Sequence, residues 1–96
     1  MNVQDKDQRW SPLMHSISNN NEIISLKLLE KKCDINIIDI DGNNALHLAV
    51  LSENEYLLKY LLKMNPNKNL FNKDNQTPLD LARLSEDEII INMLSQ

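Results

Sequence analysis

An all-α solenoid of stacked helix-turn-helix units is the fold class this sequence predicts, on three observations. Residues recur at a fixed spacing of 33, so that Leu13, Leu46 and Leu79 stand in register, as do Pro12, Ala45 and Pro78. The frame extends over nearly the whole chain, through Glu22, Glu55 and Glu88, through Leu28, Leu61 and Leu94, and through Asn36 and Asn69. Each period holds two short helical patterns separated by turn signals such as Asp41-Gly42 and Asp74-Asn75. A fixed period of this length marks units that cannot bury their apolar faces alone and do so by stacking.

The elements follow in chain order. A charged turn from Asp5 to Trp10 leads to Ser11, an N-cap residue type, and to Pro12, which suits a first helical position. The first helix is expected over residues 11–18, and Asn19-Asn20-Asn21 breaks it, since Asn tolerates the left-handed conformation that ends helices. A second helix over residues 22–31 places Ile23, Ile24 and Leu28 on one apolar stripe. Residues 33–40 are β-branched and extended, and run into the hairpin-like Asp41-Gly42 turn. The second unit repeats the scheme with helices over 44–52 and 55–63, a break at Glu53-Asn54, and the pairs Leu57/Leu61 and Leu58/Leu62. Asn65-Pro66 ends it. The third unit turns at Asp74-Asn75, restarts at Thr77-Pro78 and ends within its second helix, for which Ser85 and Glu88 form a candidate capping box. The chain reads as one domain over residues 1–96, with repeats at about 6–38, 39–71 and 72–96, the last truncated.

Ser11-Pro12-Leu13, Asn44-Ala45-Leu46-His47-Leu48-Ala49 and Thr77-Pro78-Leu79-Asp80-Leu81-Ala82 resemble the Thr-Pro-Leu-His-x-Ala signature of ankyrin repeats. Leu28-Leu29 and Leu61-Leu62 resemble the end of the family's outer helix. The resemblance implies an ankyrin-repeat solenoid with short hairpin fingers, and implies that His47 is a structural hydrogen-bonding residue linking neighbouring turns. Glycine, usual in the finger turn, is present only at Gly42, with Arg9 and Asn75 at the equivalent places. A positive φ would cost Arg9 on the order of 1 kcal/mol, so the first turn is expected to be irregular.

Comparison of equivalent positions bears on the ends of the array. His15, Ser16, Ser25 and Lys27 replace the Leu48, Ala49, Leu58 and Tyr60 of the second repeat, while Asp80, Arg83 and Ser95 replace His47, Val50 and Leu62. Terminal repeats need a polar outer face, so this pattern leads us to expect a complete, self-capped three-repeat protein.

Composition excludes several functions. The formal charge of -4 and pI near 5.0 argue against nucleic acid and anionic membranes, which need clustered Lys and Arg. There is no apolar run long enough to span a bilayer, and the polar start is no signal peptide. The single cysteine, Cys33, permits no internal disulfide. A soluble, cytoplasmic monomer is expected. His15 and His47 occupy different repeat positions, which gives neither a metal pair nor an acid-base pair. Glu86-Asp87-Glu88 sits where acids favour a helix start. No glycine loop cradles phosphate. These readings give no catalytic residues, no cofactor and no metal, and no enzyme.

Binding remains. In proteins similar to this one, fingertips and inner helices form a concave surface that grips one protein. Carried over by position, the protein-binding residues are Asp7, Gln8 and Trp10; Ile40, Asp41 and Asn43; Lys73, Asp74 and Gln76; with Leu51 from an inner helix. Repeat position makes these exposed. Trp10, the only tryptophan, either anchors a partner or folds back as a lid over the first repeat. Phe71 and Leu84 are expected to pack between repeats. Acidic tips suit a basic partner. The expected function is non-catalytic occupancy of one protein partner, over an interface of roughly 800 Å² per side. Two alternatives are a stoichiometric inhibitor or immunity protein that neutralises a toxin or basic enzyme, and a secreted microbial effector that binds a host protein.

Overall fold

A computed structural model describes residues 9–31, 35–64, 66 and 68–95. Among them lie six helices and no strand: α1 Pro12–Ser18, α2 Glu22–Glu30, α3 Ala45–Leu51, α4 Glu55–Leu62, α5 Pro78–Ser85 and α6 Glu88–Leu94. None is longer than nine residues, too short to persist alone in water. Each therefore relies on a cap and on neighbours. Ser11, Asn21, Asn44, Asn54, Thr77 and Asp87 accept the backbone N–H three residues on, at 3.0–3.3 Å. Such caps contribute about 1 kcal/mol each. The start of α6 differs from the expected Ser85/Glu88 box: Ser85 closes α5, with its hydroxyl donating to the Ala82 carbonyl, and Asp87 is the cap.

The helices pair as α1 with α2, α3 with α4 and α5 with α6, and the pairs stack in order. The inner helices α1, α3 and α5 contact one another in sequence, as do the outer helices α2, α4 and α6. Between these layers lies one core, with Leu13, Leu46, Leu57, Leu58, Leu61 and Ile90 almost wholly removed from water.

Backbone sign repeats with the same period. Arg9, Gly42 and Asn75 have φ of 60°, 79° and 60° in the finger turns, and Asn20, Glu53 and Glu86 have 55°, 55° and 59° between the helices. Arg9 thus shares the left-handed φ of Gly42 and Asn75 at its equivalent place, and the rest of the first turn lies outside the described residues. At Gly42 space is also tight, because a Cβ would stand 3.1 Å from the Lys73 nitrogen and 3.2 Å from the Asn72 Cα, and the backbone of the next finger would have to give. After α1 and α3 the left-handed residue completes a Schellman turn. Asn20 N–H donates to the Ile17 carbonyl and Asn21 N–H to that of Ser16; Glu53 N–H donates to Val50 and Asn54 N–H to Ala49.

The first repeat departs from its expected surface in two ways. Ser16 and Ser25 do not face solvent. Both are buried, their hydroxyl oxygens 2.7 Å apart, and the Ser16 hydroxyl donates to the Leu13 carbonyl at 2.8 Å. With its one proton so used, Ser16 accepts from Ser25. The pair replaces the Ala49 and Leu58 of the second repeat as a polar bolt between α1 and α2. Conversely, Ile23 and Ile24 are exposed, so the α2 stripe is not buried as a unit. Leu57 and Ile90, equivalent to Ile24, have a preceding repeat beside them. Among the described residues Ile24 has none.

Candidate functional site

The fingers are built by two residues one period apart. Asp39 Oδ1 accepts the N–H of Asp41 at 2.9 Å and of Asn43 at 2.8 Å, and Asn72 Oδ1 accepts those of Asp74 at 2.9 Å and Gln76 at 3.0 Å. A backbone bond closes each loop, from Asp39 N–H to the Asn43 carbonyl and from Asn72 N–H to that of Gln76. Aspartate and asparagine serve because a short side chain can fold back on the following N–H groups.

Neighbouring fingers are then tied together. Lys73 N–H donates to the Asp41 carbonyl at 3.0 Å, and Asn72 Nδ2 donates to Asn43 Oδ1 at 3.0 Å. Buried His47 bridges the same gap: Nε2 lies 2.9 Å from the Gln76 carbonyl, while Nδ1 lies 3.1 Å from the Asn44 nitrogen. A carbonyl only accepts, so the neutral ring carries its proton on Nε2 and Nδ1 accepts from the Asn44 N–H. Burial holds the His47 pKa below the ordinary 6.5, against the opposing Gln76 bond and the Asp39 charge. This is the turn-linking role expected for the residue.

Trp10 belongs to these ties. Its indole N–H donates to Asp39 Oδ2 at 2.9 Å, and its ring meets His15 edge-on at 5.1 Å between centroids. It is half-buried against the core, so of its two readings the structure shows the side chain folded back on the array. Asn43 and Gln76, which share its repeat position, are likewise half-buried and hydrogen-bonded, not open tips as expected. Asp7 and Gln8 lie outside the described residues.

What projects freely is a smaller set. Ile40, Asp41, Lys73 and Asp74 are exposed at the fingertips, and Leu51 is exposed at the end of α3. Leu84, the equivalent of Leu51 on α5, is 69% exposed against 57% for Leu51, and Phe71 is exposed before the third finger. Neither Leu84 nor Phe71 packs between repeats, contrary to expectation. The clue in the sequence was register: Leu84 occupies the place of Leu51, and one repeat position faces one way. A groove on the flank of the second finger adds Ile37, Ile38 and Ile40, with Arg9 and Lys73 also lining it.

Among the described residues, no three His, Cys, Asp or Glu side chains are placed to hold a metal. Also among them, no helix is long and apolar enough to cross a membrane. Repeated units stacked in two helical layers, with fingers tied by side-chain bonds, define a repeat-built binding scaffold. The family pattern described as ankyrin repeats, in three copies, matches residues 1–72 and again residues 26–96, and the chain belongs to the ankyrin-repeat family. Ankyrin repeats are generally protein-protein interaction modules and are typically non-catalytic. No curated protein matches this chain.

Proposed function

We propose that the chain acts by occupying one protein partner, gripped between the fingertips and the ends of the inner helices. The observation that carries this reading is the pair Leu51 and Leu84. Both lie at one repeat position on neighbouring inner helices, and both are more than half exposed, where burial in the core was open to neither. Full burial of a leucine side chain stabilises by about 1.5–3 kcal/mol, a gain that a partner can supply. Ile40 adds an exposed apolar side chain at the second finger, next to Asp41, and Asp74 stands at the third fingertip. The net charge of -4 adds to these in favour of a basic partner.

The same acidic tips support a second reading within this one, a stoichiometric inhibitor that covers the basic active site of an enzyme or toxin. The test is capture from an extract of the source cells, comparing the natural protein with an Ile40→Asp, Leu51→Ser, Leu84→Ser form of equal helicity and melting temperature. One partner held at 1:1 by the natural protein and lost by the variant is the expected result. Equal capture by both forms overturns the assignment of this face.

A further inference from the structure

A second unpartnered apolar row runs along a different edge of the solenoid. Ile23, Tyr56 and Ile89 occupy one repeat position, the second residue of each outer helix, and are 68%, 52% and 56% exposed. Single exposed apolar residues need no explanation, but three stacked in register form a continuous strip. Since α2, α4 and α6 contact one another in order, the row crosses all three repeats.

The surroundings of the row define what fits it. Glu22, Glu55 and Glu88 precede its three members directly, a placement that the helix dipole also favours. Glu53 and Glu86 add carboxylates from the inter-helix turns, at the left-handed positions where Asn20 serves in the first repeat. Residues 19–23, 52–56 and 85–89, which make this edge, contain no Lys or Arg. Among the cations of the outer helices, Lys31 and Lys63 cap their far ends, while Lys27 and Lys59 stand one turn beyond Ile23 and Tyr56, so the acidic border lies on the side of the inter-helix turns. Glu22 also accepts from Asn54 Nδ2 at 3.3 Å, which ties the start of the first outer helix to the second inter-helix turn.

We propose that this edge docks a basic amphipathic helix of a protein partner. An apolar strip bordered by carboxylates along its turn side disfavours anionic lipid and nucleic acid and complements a strip of apolar side chains bordered by Lys and Arg. Spacing agrees. Packed helices lie about 8–10 Å apart, so the row advances by that step per repeat. A helix that rises 1.5 Å per residue presents one apolar residue every seven positions at about 10.5 Å. The partner helix therefore lies across the outer helices, with one apolar contact for each of Ile23, Tyr56 and Ile89. The row is distinct from the fingertips, and it borders the inner-helix ends at Leu51 and Leu84 across the inter-helix turns.

The test uses the full chain and a synthetic, amidated peptide of about 18 residues, helical in design, with Leu at every seventh position and Lys beside each Leu. A scrambled peptide of equal composition is the control. Fluorescence anisotropy should show saturable 1:1 binding of the patterned peptide and at least about tenfold weaker binding of the scrambled one. Ile23→Ser, Tyr56→Ser, Ile89→Ser together should abolish binding. Glu53→Gln with Glu86→Gln, which leaves the strip intact, should weaken binding and flatten its salt dependence. Ser95→Ala, past the far end of α6, should change nothing. Equal binding of the scrambled peptide, or undiminished binding by the triple variant, overturns the proposal. So does sedimentation showing that the strip pairs two copies of this chain, or retention of the natural protein by phosphatidylserine vesicles that release the triple variant.

Discussion

The Trp10 indole donates to Asp39 Oδ2 at 2.9 Å, and one period later the bond is reversed, with Asn72 Nδ2 donating to Asn43 Oδ1 at 3.0 Å. Trp10 and Asn43 share a repeat position, as do Asp39 and Asn72. An indole can only donate, so its partner must be an acceptor on both carboxylate oxygens, one for the finger loop and one for the indole. Asparagine offers one of each kind and suits Asn43.

Asp39→Asn should therefore destabilise the fold by about 1–2 kcal/mol, since it sets an amide donor against the indole N–H within a part-buried contact. Adding Trp10→Asn should recover part of that loss by copying the second link into the first. Urea unfolding of the four members of the cycle measures the coupling, and a cycle with no coupling would show that the bond contributes nothing.

Acidification should weaken the fold in two windows. His47 has a folded pKa below its ordinary 6.5, chiefly through burial, so the unfolded chain binds its proton first. Its contribution is complete above 6.5 and is lost as pH falls through that value towards the folded pKa. Asp80 is held below its ordinary 3.8, first by the Thr77 backbone N–H, and its contribution is complete above 3.8 and lost below it. Melting temperature between about pH 7.5 and about pH 5.5 should fall in the natural protein and stay flatter in His47→Gln, itself less stable at the upper pH.

Left-handed turns give a prediction of opposite signs. Gly42→Ala should destabilise by about 1–2 kcal/mol, because φ is 79° and the new methyl meets the backbone of the next finger. Glu53→Gly should stabilise by up to about 1 kcal/mol by relieving a non-glycine residue at positive φ. Chemical denaturation of both variants checks the pair, and loss of stability in Glu53→Gly would show that its side chain holds the turn.

The serine bolt is testable by exchange for its counterpart. Ser25→Ala alone should cost about 1 kcal/mol, since the Ser16 oxygen loses its donor inside the core. Ser16→Ala with Ser25→Leu, the pair found in the second repeat, should match or exceed the natural stability. Greater destabilisation in the double form than in the single one would mean that the first repeat has no room for the leucine.

Most of the fold was legible because register carries it. Once Leu13, Leu46 and Leu79 align, helices, turns and left-handed residues follow within one or two positions, and His47 acquires its bridging place. The failures share one cause, which is that position in the repeat does not report what a neighbour supplies. Ser16 and Ser25 read as solvated because serine is polar, yet each satisfies the other. Trp10, Asn43 and Gln76 read as open tips because the position is variable, yet the next finger supplies partners to Trp10 and Asn43, and Asn72 and His47 supply them to Gln76. Leu84 and Phe71 read as packed because they are apolar, although nothing lies over them. Pairing, such as that between Ser16 and Ser25 nine residues apart or Trp10 and Asp39 29 apart, decides the polar cases, and a linear pattern scored one residue at a time cannot see it.

The reversed link has a consequence for how such a gene can change. Unequal recombination that deletes one period, residues 39–71, would seat the first unit directly on the third and bring Trp10 against Asn72. If its oxygen still organised the finger loop, the Asn72 amide would then face the indole with a donor. A deletion that keeps the reading frame and the helix pattern would still leave two N–H groups opposed at the joint. The order of units is thus written into hydrogen-bond polarity, and the chain resists being shortened by the very mechanism through which repeats multiply.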